Sequence, residues 1–223
     1  MGLLSDKHLA MLHSSAINDD VIAARGYKTI DASEAAEYGF SRKQLLSGLL
    51  VPVCGVDGSV KGYQLRPDEP RVNDATGKYI KYETPYKQPN YLDVNPLMQP
   101  MVRKARQLNF ITEGAKKGDA LASIGLTAIS ITGVWNWRGK NEDDGSTALG
   151  DWEDVNVRGS RFIIAFDNDI HTNSMVNLAL RRLKQFLLYR KADSVLVLEL
   201  PYDGAKKIGV DDYLASIQKV KTL

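Results

Sequence analysis

A single cysteine, Cys54, stands among 223 residues. One thiol excludes an internal disulfide framework and any structural zinc site built from several thiolates, and leaves Cys54 to act as a small core residue. The three histidines, His8, His13 and His171, have no metal-ligand spacing. No apolar run approaches the roughly 20 residues needed to cross a bilayer. The N-terminus lacks a basic region followed by an apolar core and cleavage site, so the expectation is a cytoplasmic protein without membrane contact. A Gly-rich loop ending in Lys-Ser/Thr is missing, which excludes an ATP-driven motor of the P-loop type. Charge of one sign is not in excess either: the formal net charge is +2, so clustering matters more than the total. The clusters are Arg103-Lys104-Ala105-Arg106, Lys116-Lys117, Arg181-Arg182-Leu183-Lys184 and Lys206-Lys207. Each reads first as a solvated helix face. There is no internal repeat and no low-complexity tract.

What is present is a globular composition, 43% hydrophobic and 25% charged, in a chain long enough to bury a real core. Ser5-Asp6 can cap a short helix carrying Leu9, Leu12 and Ala16, and a second short helix ends near Gly26. Two more short helices are expected over residues 33–37 and 41–46. The period then changes: residues 49–54 and 60–66 read as a hairpin around Gly55-Val56-Asp57-Gly58, with a third strand over 78–83. A proline-punctuated passage follows, and a boundary near Asn95-Pro96 divides a smaller α+β subdomain, 1–95, from a second domain, 96–223. In the second domain strands over 109–112, 126–132, 161–166 and 194–198 alternate with helices over 117–124, 174–189 and from 211. Residues 134–159 read as a long polar segment with a surface loop at 140–146. This alternation predicts an α/β domain: a mostly parallel, Rossmann-like sheet with helices on both faces.

Ligands of such sheets gather outside the carboxyl ends of the strands, and the acids fall there. Asp167 and Asp169 follow the apolar run Arg161-Phe162-Ile163-Ile164-Ala165. Alternate side chains of an extended chain point the same way, so these two carboxylates face one pocket while Asn168 points elsewhere. Glu113-Gly114 ends an earlier strand beside Lys116 and Lys117, and Asp211-Asp212 opens the last helix after a Gly-rich turn. Singly, each of these is explained as a turn or an N-cap. Together they predict a metal and phosphate site, because Mg²⁺ and Mn²⁺ favour oxygen ligands. Trp135 and Trp137 lie just past a strand end, where they either stack on bases or close the sheet edge.

The set Ile111-Thr112-Glu113-Gly114, Phe166-Asp167-Asn168-Asp169 and Val210-Asp211-Asp212-Tyr213-Leu214 resembles the Toprim domain shared by topoisomerases and bacterial DnaG-type primases. In the first half, Arg25-Gly26-Tyr27, Tyr38-Gly39-Phe40, Leu50-Val51-Pro52-Val53, Gly62-Tyr63-Gln64-Leu65-Arg66 and Lys81-Tyr82-Glu83-Thr84-Pro85 occur in the order of similar segments in primase catalytic cores. The likeness covers residues 21–214 and is greatest to the Toprim-like domains of phage, plasmid and mobile-element replication proteins.

The resemblance implies metal-dependent, primase-like oligonucleotide synthesis with Mg²⁺ or Mn²⁺. Glu113, Asp167 and Asp169 are then the catalytic and metal-binding acids, joined by Asp212 as a further ligand. Arg66, Lys81, Lys116, Lys117, Trp135 and Trp137 contact nucleic acid or nucleotide. The implied partners are a single-stranded DNA template, nucleoside triphosphates and a replicative helicase. Arg66 and Lys81 have a plainer alternative, surface salt bridges to Asp68 or Glu83. A Toprim nuclease and a non-catalytic single-strand-binding module are the alternative functions. Two departures stand out: Lys117 and Val210 occupy positions where the primase pattern carries acids. The zinc-binding cysteine set that precedes many bacterial primase cores has no counterpart.

Overall fold

The computed structural model describes residues 4–202 and 207–221. Residues 1–3, Lys206 and part of the turn before Val210 lie outside these. The N-terminal elements are helices α1 (Asp6–His13) and α2 (Asp19–Arg25), then strands β1 (Lys28–Ile30), β2 (Gly48–Cys54) and β3 (Val60–Pro67). Helix α3 (Gln99–Val102) leads to β4 (Leu108–Glu113), α4 (Ala115–Ser123), β5 (Thr127–Ile131) and the hairpin β6 (Arg138–Lys140) and β7 (Ser146–Ala148). Strand β8 (Arg161–Ala165), α5 (Ser174–Tyr189), β9 (Ser194–Val197) and α6 (Val210–Lys221) complete the chain.

Side-chain caps explain where the first helices begin. Ser5 accepts from the His8 N–H and Asn18 from the Val21 N–H, each satisfying an otherwise orphan donor. Helix α2 stops at Gly26 in the left-handed region, φ 75°. The next two expected helices form as short 3-10 turns, Glu34–Tyr38 and Arg42–Gln44.

Strands β1, β2 and β3 form an antiparallel sheet in the order β1-β2-β3. The strand expected over 78–83 does not form. Its residues make only single bridges, Leu65 with Glu83 and Val72 with Tyr79, and β1 takes the third place. The physical reason is burial: residues 74–79 are exposed, so only the inner end of the segment, at Glu83, pairs with β3.

Strands β5-β4-β8-β9 form a wholly parallel sheet. Alternate residues of β4 face opposite layers, as the strand period requires. Phe110 packs with Leu121 of α4 and Val210 of α6, whereas Ile111 joins Val176, Leu180, Leu183 and Leu187 of α5. Helices therefore cover both faces. Gly118 allows α4 to lie close on the sheet, because a Cβ there would fall 2.1 Å from Ser130 Oγ. The segment expected to be polar, 134–159, contributes Trp137, Trp152, Val155 and Val157 to the same core. Its surface loop is the exposed turn of the β6–β7 hairpin, with Lys140 and Asp144 paired at 2.9 Å.

The two halves share apolar and polar packing. Leu12, Val21, Tyr27, Leu49 and Val51 cluster with Ala120 and Ala122 of α4. Buried Arg25 forks onto Asp119, with Nε 3.0 Å from Oδ2 and Nη2 2.6 Å from Oδ1, and also pairs with Asp93. Tyr27 Oη donates to Asp119 at 2.7 Å and Asn95 Nδ2 at 2.9 Å. Asp119 is thus a fixed strut joining α2 to α4, remote in role from the acids at the strand ends.

Candidate active site

The parallel sheet reverses its winding direction between β4 and β8. From β4 the chain moves outward to β5 on one side, and β8 then returns to the other side of β4. A crevice opens outside the carboxyl ends at such a point. Glu113 is the last residue of β4, and Asp167 lies just beyond β8, so the reversal itself brings them together.

Asp167 and Asp169 share one cation. Lys207 Nζ lies 3.2 Å from Asp167 Oδ2 and 2.9 Å from Asp169 Oδ2. The other oxygen of Asp167, Oδ1, meets Lys117 Nζ at 2.8 Å. The extended run expected here does not form: residues Asn168–His171 make a 3-10 turn, in which the Asn168 side chain donates to the Pro201 carbonyl at 2.9 Å and accepts from the Ile208 N–H at 3.0 Å. The intervening amide thereby clamps residues 207–209 against the end of β8.

The last helix delivers Asp211. It is 8% exposed, its Oδ2 lies 4.0 Å from Lys116 Nζ, and its Oδ1 is buried without a hydrogen bond. Asp212 instead turns back to accept from the Gly209 N–H at 3.2 Å and is exposed. Asp212, expected as a further metal ligand, is placed at the start of the last helix with its carboxylate on the Gly209 amide. Asp211, Lys207 and Gly209 were not among the expected site residues. Adjacent acids at a helix start differ only in rotation about the helix axis, so sequence gave no means of choosing between them.

Charge within the cluster is strongly coupled. Burial, reinforced by the Asp167 and Asp169 charges, raises the Glu113 carboxyl above the ordinary range against the opposing pull of Lys117 and Lys207. Burial likewise raises Asp211 and lowers Lys116. For Lys117 and Lys207 burial works against the charge, but the neighbouring carboxylates outweigh it and both ammoniums are held more firmly protonated.

The basic residues of the first half divide into separate environments. Arg66 sits over the Tyr82 ring, 5.5 Å from its centroid, and its charge reaches Lys116. Lys81 is exposed. Both line a cavity of about 510 Å³ with Lys7, His8 and Tyr79. The expected alternative, pairing of Arg66 or Lys81 with Asp68 or Glu83, is not what forms. Asp68 is held by Lys7 and His8, and Glu83 by Arg71 through Nε at 2.5 Å and Nη2 at 3.0 Å. Among the described residues neither Arg66 nor Lys81 makes an ion pair.

Trp137 is 6% exposed and packs on Phe186 at 5.0 Å between ring centroids. Trp135 is half-buried, with the Arg138 guanidinium 4.4 Å from its ring centroid. Trp137 belongs to the core beneath α5, and Trp135 keeps the more accessible ring.

Among the described residues no group of three or more His, Cys, Asp or Glu is gathered as a metal cage. The donor set still fits one Mg²⁺ or Mn²⁺. Glu113, Asp167 and Asp169 offer hard oxygens, and such ions are commonly held by one or two carboxylates plus water and phosphate. Lys207, whose side chain is 53% exposed, already stands in for a cation between the two aspartates.

A family model described as "Domain of unknown function (DUF3854)" matches residues 100–220. The chain belongs to the DUF3854 family. No curated protein matches it. Among solved structures this DUF3854 chain is similar to the Aquifex aeolicus primase (zinc-binding and RNA polymerase domains), with TM-score 0.63 and 14% identity over 98% of this chain and 54% of that one. It is similar to a DnaG primase catalytic domain bound to single-stranded DNA, with TM-score 0.59 and 16% identity over 97% of this chain and 71% of that one. The primase fragment of the bacteriophage T7 primase-helicase gives TM-score 0.52 and 11% identity over 94% and 70%. The chain thus spans about half the length of the Aquifex protein structure. At these identities the likeness is one of fold, that of a primase catalytic core.

Proposed function

We propose that this chain carries out metal-dependent nucleotidyl transfer, making oligonucleotides on single-stranded DNA during replication of a phage, plasmid or mobile element. The observation that carries the reading is the shared cation of Asp167 and Asp169, beside Glu113 at the winding reversal of a primase-like fold. The bound structure of a DnaG catalytic domain with single-stranded DNA supports the template, and the T7 primase-helicase supports a helicase partner.

In this reading Asp167 and Asp169 hold one Mg²⁺ or Mn²⁺, and Glu113 stands beside it to handle the proton. When bound, the ion supplies charge neutralisation for the triphosphate and acidifies the attacking hydroxyl. The residues do the positioning. Glu113 accepts the proton of the attacking 3′ hydroxyl as general base. Lys116 and Arg66 meet triphosphate oxygens, Lys81 lies along the basic approach, and Lys117 orients Asp167. Catalysis is then mainly placement and charge stabilisation.

The chain with Mg²⁺ or Mn²⁺, nucleoside triphosphates and varied single-stranded templates should yield oligonucleotides, and Glu113→Gln should abolish them. Equal yield from both proteins would sink the reading, and strand shortening without nucleotides would favour a nuclease. A binding-only module is the second reading, favoured by the lysine neutralisation of Asp167. It requires single-strand binding to persist when Asp167 and Asp169 are both replaced by alanine, with the salt dependence of phosphate contacts.

A further inference from the structure

The two lysines on Asp167 are held differently. Lys207 reaches in from the segment before α6 and is 53% exposed. Lys117 rises from the first turn of α4, and its side chain is 18% exposed. The Gly209 backbone seals it from above: a Cβ at that position would fall 2.3 Å from Lys117 Cε, 2.6 Å from Asp211 Oδ1 and 3.1 Å from Asp167 Oδ1. No side chain fits at 209 without moving the lysine. Glu113, Asp167 and Asp211 all draw on its charge.

An ion bound to Asp167 Oδ1 would sit about 2.1 Å from that oxygen, but the Lys117 ammonium already lies 2.8 Å away. Two cations on one oxygen repel, so the lysine disfavours an ion on this side of the carboxylate. Charge leads to the same result. Glu113, Asp167, Asp169, Asp211 and Asp212 face Lys116, Lys117, Lys207 and Arg66. With Lys207 withdrawn, five carboxylates face three cationic side chains, and the excess of two negative charges matches one divalent ion.

We infer that Lys117 is a resident cation occupying the inner of two cation positions, so that the site admits one divalent ion, at the outer position between Asp167 Oδ2 and Asp169. This deepens the reading above and rests on it. A two-metal centre would need the inner position too, since such ions stand roughly 3.5–4 Å apart. Lys117 would then do with one fixed positive charge what a second ion does elsewhere, holding Asp167 in orientation without depending on metal concentration.

The test is the number of Mn²⁺ ions bound per chain, read by electron paramagnetic resonance during titration without nucleotide. The inference predicts one ion in the wild-type chain, two in Lys117→Gln, which keeps a donor for Asp167 but removes the charge, and one in Lys117→Arg. Two ions in the wild type would overturn it, as would one ion in both the wild type and Lys117→Gln. The wild-type count needs no variant, so poor folding of Lys117→Gln leaves the test intact. No ion in any of the three proteins would sink the metal-dependent reading along with it, whereas one ion bound without oligonucleotide synthesis would sink only that reading.

Discussion

Lys207 Nζ bridges Asp167 and Asp169 at 3.2 and 2.9 Å, holding with one ammonium the position that the proposed divalent ion would take. The contact is half in water, where ion pairs contribute roughly 0–1 kcal/mol. Removing it should therefore change affinity more than stability. Lys207→Ala is expected to tighten Mn²⁺ binding several-fold while shifting Tm by no more than about 4 °C. Isothermal titration and thermal unfolding of the same sample check both parts.

Arg25 supports the opposite expectation. It is 2% exposed, and Asp119 and Asp93 around it are equally enclosed. Replacing one partner of a buried ion pair strands the other charge, at a cost of about 3–5 kcal/mol. Arg25→Leu should lower unfolding stability on that scale in a urea titration. Arg25→Lys should lose less, because it keeps the charge and gives up the two-pronged fork.

Glu113 gives a pH signature in metal-free protein. Its carboxyl is raised by burial, so the folded chain holds this proton more tightly than the unfolded chain. The stability that the group contributes is present at pH values below the ordinary glutamate range and is lost as pH rises through the raised value. Glu113→Gln, which cannot ionise, should therefore gain on the wild type in Tm as pH increases from 4 to 7.

The two tryptophans should separate folding from binding. Trp137 is buried against Phe186, and truncating such a ring costs about 3–5 kcal/mol. Trp135→Ala should leave stability within about 1 kcal/mol of the wild type but weaken single-stranded DNA binding by about 1–3 kcal/mol, the worth of a base stack. Fluorescence anisotropy with a labelled strand, alongside urea unfolding, distinguishes them.

The parallel sheet was legible because its strands are short apolar runs alternating with amphipathic helices, and α5 forms over the residues its periodicity predicts. Asp167 and Asp169 were legible as acids just past a strand end, but a 3-10 turn over Asn168–His171, not strand alternation, sets their directions. Arg25 with Asp119 was not legible, since the pair joins residues 94 apart and no local pattern marks it. Trp152 was hidden for another reason: it is fully buried inside a stretch whose average composition is polar. Lys207 looked like one member of a solvated pair, and only the fold aims it at two carboxylates.

Nucleotidyl transfer releases one pyrophosphate for each linkage made, and hydrolysis of a strand releases none. The most direct measurement is therefore pyrophosphate release together with product length, on single-stranded DNA with nucleoside triphosphates and Mn²⁺. The account predicts that both rise in step in the wild-type chain and that both vanish in Glu113→Gln. Shortened strands without pyrophosphate, or equal pyrophosphate release from the two proteins, would contradict it.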